Sequence, residues 1–191
     1  MIVADFRFNN IISILYTFPK LCLIKIFHWN GLLFHPVERF SPNVDIYYIG
    51  HGTMQFGNKV RAHSGCKFRV IKNGIIKVDD SATFNYGCML TAHEEIHIGA
   101  GVEFGPNVLI YDHDHDFRAV GGLKANKFKT GKVQIGEKSW IGANTVILKN
   151  TTIGKNCVVG AGCVLTNCTI PDNSIVVQRR ETEIKSYQLN K

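Results

Sequence analysis

From Ile135 to Ile170 the chain counts in sixes. Its hexads read Ile135-Gly-Glu-Lys-Ser-Trp, Ile141-Gly-Ala-Asn-Thr-Val, Ile147-Leu-Lys-Asn-Thr-Thr, Ile153-Gly-Lys-Asn-Cys-Val, Val159-Gly-Ala-Gly-Cys-Val and Leu165-Thr-Asn-Cys-Thr-Ile. An aliphatic residue opens each one. The fifth place holds only Ser139, Thr145, Thr151, Cys157, Cys163 and Thr169, and glycine follows the aliphatic in four of the six. A period of six suits neither an amphipathic helix nor a free-standing strand. It suits a β-solenoid, in which short strands meet at tight corners and each repeat buries its apolar side chain against a neighbour.

Three hexads make one triangular coil, so residues 18 apart stack at the strand spacing of about 4.8 Å. Ile135 then falls on Ile153, Ile141 on Val159, Ile147 on Leu165, Ser139 on Cys157 and Thr145 on Cys163. The small residues leave room at the corners, and the glycines are expected to let the backbone turn there without a Cβ clash. Upstream, the register becomes firm at Val78, Phe84 and Leu90. It resumes 20 residues later at Ile98, which places two extra residues near Glu94 to His97. From Ile98 to Ile135 is 37 residues, so about 19 are extruded beyond one 18-residue coil, as a loop over about 112–134. Such a loop on a rigid scaffold usually carries function. Between Val44 and Asn73 the pattern degenerates, and irregular first coils are expected there.

These limits divide the chain into an N-terminal cap (1–43), a solenoid (44–175) and a polar tail (176–191). In the cap, Phe8 to Pro19 and Ile26 to Val37 lack Asp, Glu, Lys and Arg. Both runs are too short to span a bilayer, and no signal-peptide pattern precedes them. One or two amphipathic helices closing the open end of the solenoid are predicted, with peripheral membrane contact as the alternative role. The balance of 22 Lys and Arg against 15 Asp and Glu, +7, suits an anionic ligand, glycan or membrane surface. No nucleic-acid motif or basic helix appears, so nucleic acid is not expected as a partner. Cys157 and Cys163 occupy corners on different faces and cannot bridge. The cysteines therefore read as reduced packing residues of a cytoplasmic protein, placed either free in the cytoplasm or at the inner face of the membrane.

Two histidines align. His113 lies three places into the hexad opening at Ile110, and His93 three places into the hexad opening at Leu90, so they should stack on adjacent coils. His113 begins the extruded loop, flanked by Asp112 and Asp114, either of which could orient an imidazole. Along an extended segment, His115 is expected to point away from His113. Lys124, Lys127, Lys129 and Lys132 cluster later in the loop without an acid between them.

The run Trp140-Ile-Gly-Ala-Asn, with Val159-Gly-Ala-Gly-Cys-Val-Leu-Thr, resembles the hexapeptide-repeat O-acetyltransferases that act on galactosides, maltose and capsular polysaccharide. The resemblance covers roughly Ile76 to Ile175. It implies an all-β, left-handed parallel β-helix, a homotrimer, and transfer of an acetyl group from acetyl-CoA to a sugar or glycan hydroxyl without a required metal. It implies His113 as general base, Asn85, His93 and His115 near the acceptor, and Trp140, Gly142, Ala143, Ala161 and Thr166 along the donor. Ala143 N–H would serve as oxyanion donor. The lysine that relatives carry at the place of Asn167 is absent, as is the usual Gly-x-Pro-Ala-like end. Arg179, Arg180 or the loop lysines are left to meet the coenzyme A phosphates. Two other readings stand beside this one: a zinc carbonic-anhydrase-like protein using His93, His97, His113 or His115, and a non-catalytic scaffold.

Overall fold

The computed structural model describes residues 2–179. Helix α1 (Ile2–Phe27) is followed by a parallel β-solenoid with three walls. Wall A runs from Leu32–Leu33 to Thr169–Ile170 and wall B from Arg39–Phe40 to Ile175–Val176, each with seven strands among the described residues. Wall C has six, from Asp45–Gly50 to Val164–Leu165. The stacking is the one the hexads dictate: Ile135 pairs with Ile153, Ile141 with Val159 and Ile147 with Leu165.

Side chains alternate in direction along a strand, so each wall sends one set inward. Ile135, Ile141, Ile147, Ile153, Val159 and Leu165 fill the C-terminal interior. Phe40, Phe56, Phe68, Phe84 and Phe104 fill the N-terminal interior as a ladder, with successive centroids 4.7–5.2 Å apart. Ser139, Thr145, Thr151, Cys157 and Cys163 are all buried. Ser139 stitches its corner: Oγ donates to the Gly154 carbonyl and accepts from Cys157 N–H, both at 3.0 Å. All six cysteines are free thiols.

Four sequence expectations change. The first coils are regular, not irregular. Asp45 pairs with Lys67 and Lys67 with Met89, two steps of 22 residues, in the longest strands of the solenoid. Their longer period hides them from an 18-residue search. The solenoid also begins at Leu32, within the stretch read as cap. The sixth hexad is one residue short: Ile170 pairs with Ile153, so Thr169 is exposed rather than filling a corner.

Gly65, Gly87, Gly101 and Gly162 turn corners as expected, with φ of 65–78°, but the glycines that follow the aliphatic residues do a different job. The left-handed corner conformation belongs mainly to the fourth place, at Lys138, Asn144, Asn150 and Asn156, with φ of 54–58°. Asparagine tolerates this region better than most residues, and here it forms cross-coil bonds such as Asn150 to Asn167 at 3.0 Å. Gly142 instead lies flat beneath the next coil, where a Cβ would sit 2.5 Å from Ala161 N.

Candidate active site

The coil steps shrink from 22 to 20 (Met89 to Leu109) and finally to 18 (Val146 to Val164). The surplus falls at one corner, between walls C and A. There the chain inserts His93-Glu94 after the strand Met89–Ala92, and the whole excursion from Asp112 to Lys132 one coil later. The excursion folds back on itself. His113–His115 pairs antiparallel with Phe128–Thr130, and Gly131 N–H closes the base by donating to the Asp112 carbonyl.

Asp112 holds this corner together. Its carboxylate is fully buried and accepts from His93 N–H at 2.8 Å and Glu94 N–H at 2.6 Å. The same oxygen that receives His93 N–H lies 3.1 Å from His113 Nδ1. A carboxylate already accepting backbone N–H groups accepts here too, so His113 donates Nδ1–H, and in its neutral tautomer the lone pair is on Nε2. Asp114 turns the other way and pairs with Lys149 at 2.6 Å. Of the two flanking acids, only Asp112 orients the ring.

His93 and His113 stack, with centroids 3.8 Å apart and planes tilted 33°. Burial and the neighbouring His113 lower the His93 pKa to about 4, which keeps that ring neutral at ordinary pH. Phe128 covers the pair, 4.3 Å from His93 and 5.5 Å from His113. His115 also meets Phe128, at 4.6 Å. The expectation that His115 points away from His113 is therefore wrong: residues two apart on a strand share a face, and both rings line one cleft of about 410 Å³ with Tyr47, Arg69, Lys72 and Thr91. His97 does not join them. It lies on the outside of wall A, bonded to Asp79 at 2.9 Å.

The other residues singled out lie elsewhere. Asn85 follows wall B strand Thr83–Phe84, and its side chain caps Tyr86 N–H at 2.9 Å. Gly142, Ala143 and Ala161 follow the wall B strands above it, so this column marks the B–C corner, not the C–A corner of the histidines. Trp140 stands on the outside of wall B, 56% exposed, between Glu103 and Val158. Thr166 and Arg179 are exposed, and Arg180 lies outside the described residues. Lys129 and Lys132 pair with Asp116 and Glu95. The candidate residues thus fall at two different corners of the solenoid. Sequence reasoning misses Phe128, Tyr47, Arg69 and Lys72 in the cleft. Only the hairpin's return and the 22-residue coils bring them there, and neither leaves a six-residue signal.

Residues 132–167 match the family described as Bacterial transferase hexapeptide (six repeats). No curated protein matches the sequence. Among solved structures, a point variant of AntD, an N-acyltransferase from Bacillus cereus in complex with dTDP-4-amino-4,6-dideoxyglucose and coenzyme A, is similar with a TM-score of 0.64 and 19% identity. That match covers 86% of this chain and 90% of the other. AntD with dTDP and 3-hydroxybutyryl-CoA gives 0.58 at 22% identity, over 72% and 73%. The acetyltransferase domain of PglB from Neisseria gonorrhoeae gives 0.51 at 19%, covering 72% of this chain and 53%, about half, of the PglB chain. At these identities the likeness is one of fold. Residues 132–167 are thus similar to the six-repeat hexapeptide segment of bacterial transferases, and the coils before them extend the same solenoid.

Proposed function

We propose that the protein transfers an acyl group, acetyl by the resemblance, from a coenzyme A thioester to a hydroxyl of a sugar or glycan unit. The observation that carries this is the pairing of His113 with buried Asp112 at the mouth of the extruded loop. His113 Nε2 takes the proton of the acceptor hydroxyl as its oxygen attacks the thioester carbon. A backbone N–H, Ala143 in this reading, stabilises the developing oxyanion. The C–S bond breaks, and the imidazolium returns its proton to the leaving thiolate. No covalent enzyme intermediate is needed, so the buried cysteines have no part in the step. His93 and His115 bind the acceptor from the cleft, while Asn85 reaches it from the other half-site. Gly142, Ala161, Thr166 and Trp140 line the donor, with Arg179, Arg180 and the exposed Lys124 and Lys127 near its phosphates. AntD, being an N-acyltransferase that holds an amino sugar nucleotide, favours an amine acceptor as the second reading.

The two half-sites support a homotrimer in which the C–A corner of one copy meets the B–C corner of the next. Met89, Leu109, Val146 and Val164 are in register on the outside of wall C, between those corners, and offer an apolar seam for that contact. A coenzyme A donor and free thiols support a reaction in the cytoplasm.

The test is the initial rate of thiol release from acetyl-CoA with a panel of sugar alcohols and amino sugars. His113→Ala should lose about 10²- to 10⁴-fold in turnover. His115→Ala and Asn85→Ala should act more through acceptor affinity. Near-normal turnover in His113→Ala would remove the base, and a stable monomer in light scattering would remove the shared site.

A further inference from the structure

Helix α1 is built inside out. A surface helix normally buries its apolar stripe and shows water its polar face. From Ile11 onward this one does the reverse. Thr17 is 1% exposed, and its hydroxyl both accepts from Phe40 N–H and donates to the Phe40 carbonyl, at 3.0 Å. Lys20 Nζ donates to the Pro42 and Val44 carbonyls, and Lys25 Nζ to the Leu32 carbonyl. These carbonyls lie at the rim of the first coil, where no further strand pairs with them among the described residues. Polar side chains turn inward to satisfy that rim, and Leu21 is the one fully buried apolar anchor among the described side chains of the helix.

The consequence is an apolar outer face. At 100° per residue, Ile11, Ile12, Leu15, Phe18, Pro19, Cys22, Leu23 and Ile26 fill one continuous arc of roughly 140°, with no charged residue in it from Ile11 onward. Leu15 is 68% exposed, Ile26 66% and Leu23 60%, and the arc runs on into Phe27 and Trp29 at the helix end. No described helix is long and apolar enough to cross a membrane. An uncharged arc on a helix that cannot span is the pattern of one lying in a lipid interface, and an exposed tryptophan at its end suits the headgroup layer. Charge selects the occupant. Lys20 and Lys25 are turned to the rim, so the attraction comes from the chain as a whole, whose net charge of +7 draws it to an anionic lipid surface.

We propose that α1 docks the end of the solenoid on an anionic lipid surface through Ile11, Leu15, Leu23, Ile26, Phe27 and Trp29. The proposal does not depend on acyl transfer. The test is flotation of the full chain with vesicles of phosphatidylcholine, with and without phosphatidylglycerol. The full chain should float with the anionic vesicles, and less so as salt rises. Leu15→Glu with Ile26→Glu should lower the bound fraction about tenfold or more. Circular dichroism and sizing should stay unchanged, because both side chains are exposed. Loss of floating only in a variant that has also lost its fold would be checked by Leu15→Ser with Ile26→Ser, which adds no charge and should still weaken binding. No binding to anionic vesicles overturns the proposal, and so does a change of oligomeric state in Leu15→Glu with Ile26→Glu while vesicle binding persists.

Discussion

Asp112 immediately precedes His113, yet its carboxylate points into the wall while the imidazole points into the cleft, and Oδ1 still lies 3.1 Å from Nδ1. One buried acid therefore binds both the two-residue insertion of the preceding coil and the ring that begins the loop. The shape of the corner and the tautomer of the histidine are set by the same group.

Removing that group should show both effects. Asp112→Ala leaves the N–H groups of His93 and Glu94 without their acceptor, and each buried N–H left unpaired costs about 1–3 kcal/mol. A drop in Tm of about 5 °C or more is expected. Asp112→Asn keeps an acceptor and should lose less stability. It should still lower kcat by about tenfold or more, with the KM for the donor little changed, because the proposed donor half-site lies on the other corner. Equal falls in stability and kcat across the two variants would reduce Asp112 to a structural role.

Two buried groups make opposing contributions to stability against pH. Glu38 is 1% exposed with one carboxylate oxygen unpartnered, and burial raises its pKa to about 7. The unfolded chain releases that proton first, so the Glu38 contribution is full below about 4.3 and is lost as pH rises through about 7. His93 is depressed to about 4, so its contribution is full above about 6.5 and is lost as pH falls through about 4. Between these limits the two slopes oppose each other. Melting curves of Glu38→Gln should therefore lose stability toward acid more steeply than the parent. His93→Asn should lose it toward neutral pH. Parallel profiles for all three proteins would contradict both assignments.

The corner places should respond unequally to substitution. Gly142→Ala pushes a Cβ to 2.5 Å from Ala161 N, against backbone that cannot swing aside. An overpacking cost of about 1–3 kcal/mol is expected in denaturant unfolding. Asn144→Gly keeps the φ of 57° accessible and gives up one long bond from Asn107 at 3.3 Å. Its cost should be under about 1 kcal/mol. A larger cost at Asn144 would mean that the asparagine bonds, not close coil approach, limit the stack.

The stacking of His93 on His113 is legible from hexad counting alone, because a solenoid converts sequence distance into height with little freedom. The side of His115 is legible too, since a strand repeat of two returns it to the face of His113; the opposite expectation miscounts that alternation. The 22-residue coils are harder to see, because extra residues at a corner shift the phase without disturbing the wall. Ile46 and Phe68 pair as regularly as Ile147 and Leu165.

From about Val78 to Leu165 the sequence by itself determined the solenoid, its interior and the stacking of its residues, because these follow from a local six-residue rule repeated many times. Tertiary structure alone decided which corner each candidate occupies around the axis, and so separated His113 from Ala143. It alone brought Phe128 back over the histidines through an antiparallel hairpin. It alone turned the polar side of α1 inward, since the rim carbonyls that reverse the helix's usual preference come from residues distant in the chain. Each of these depends on contacts that no local period encodes.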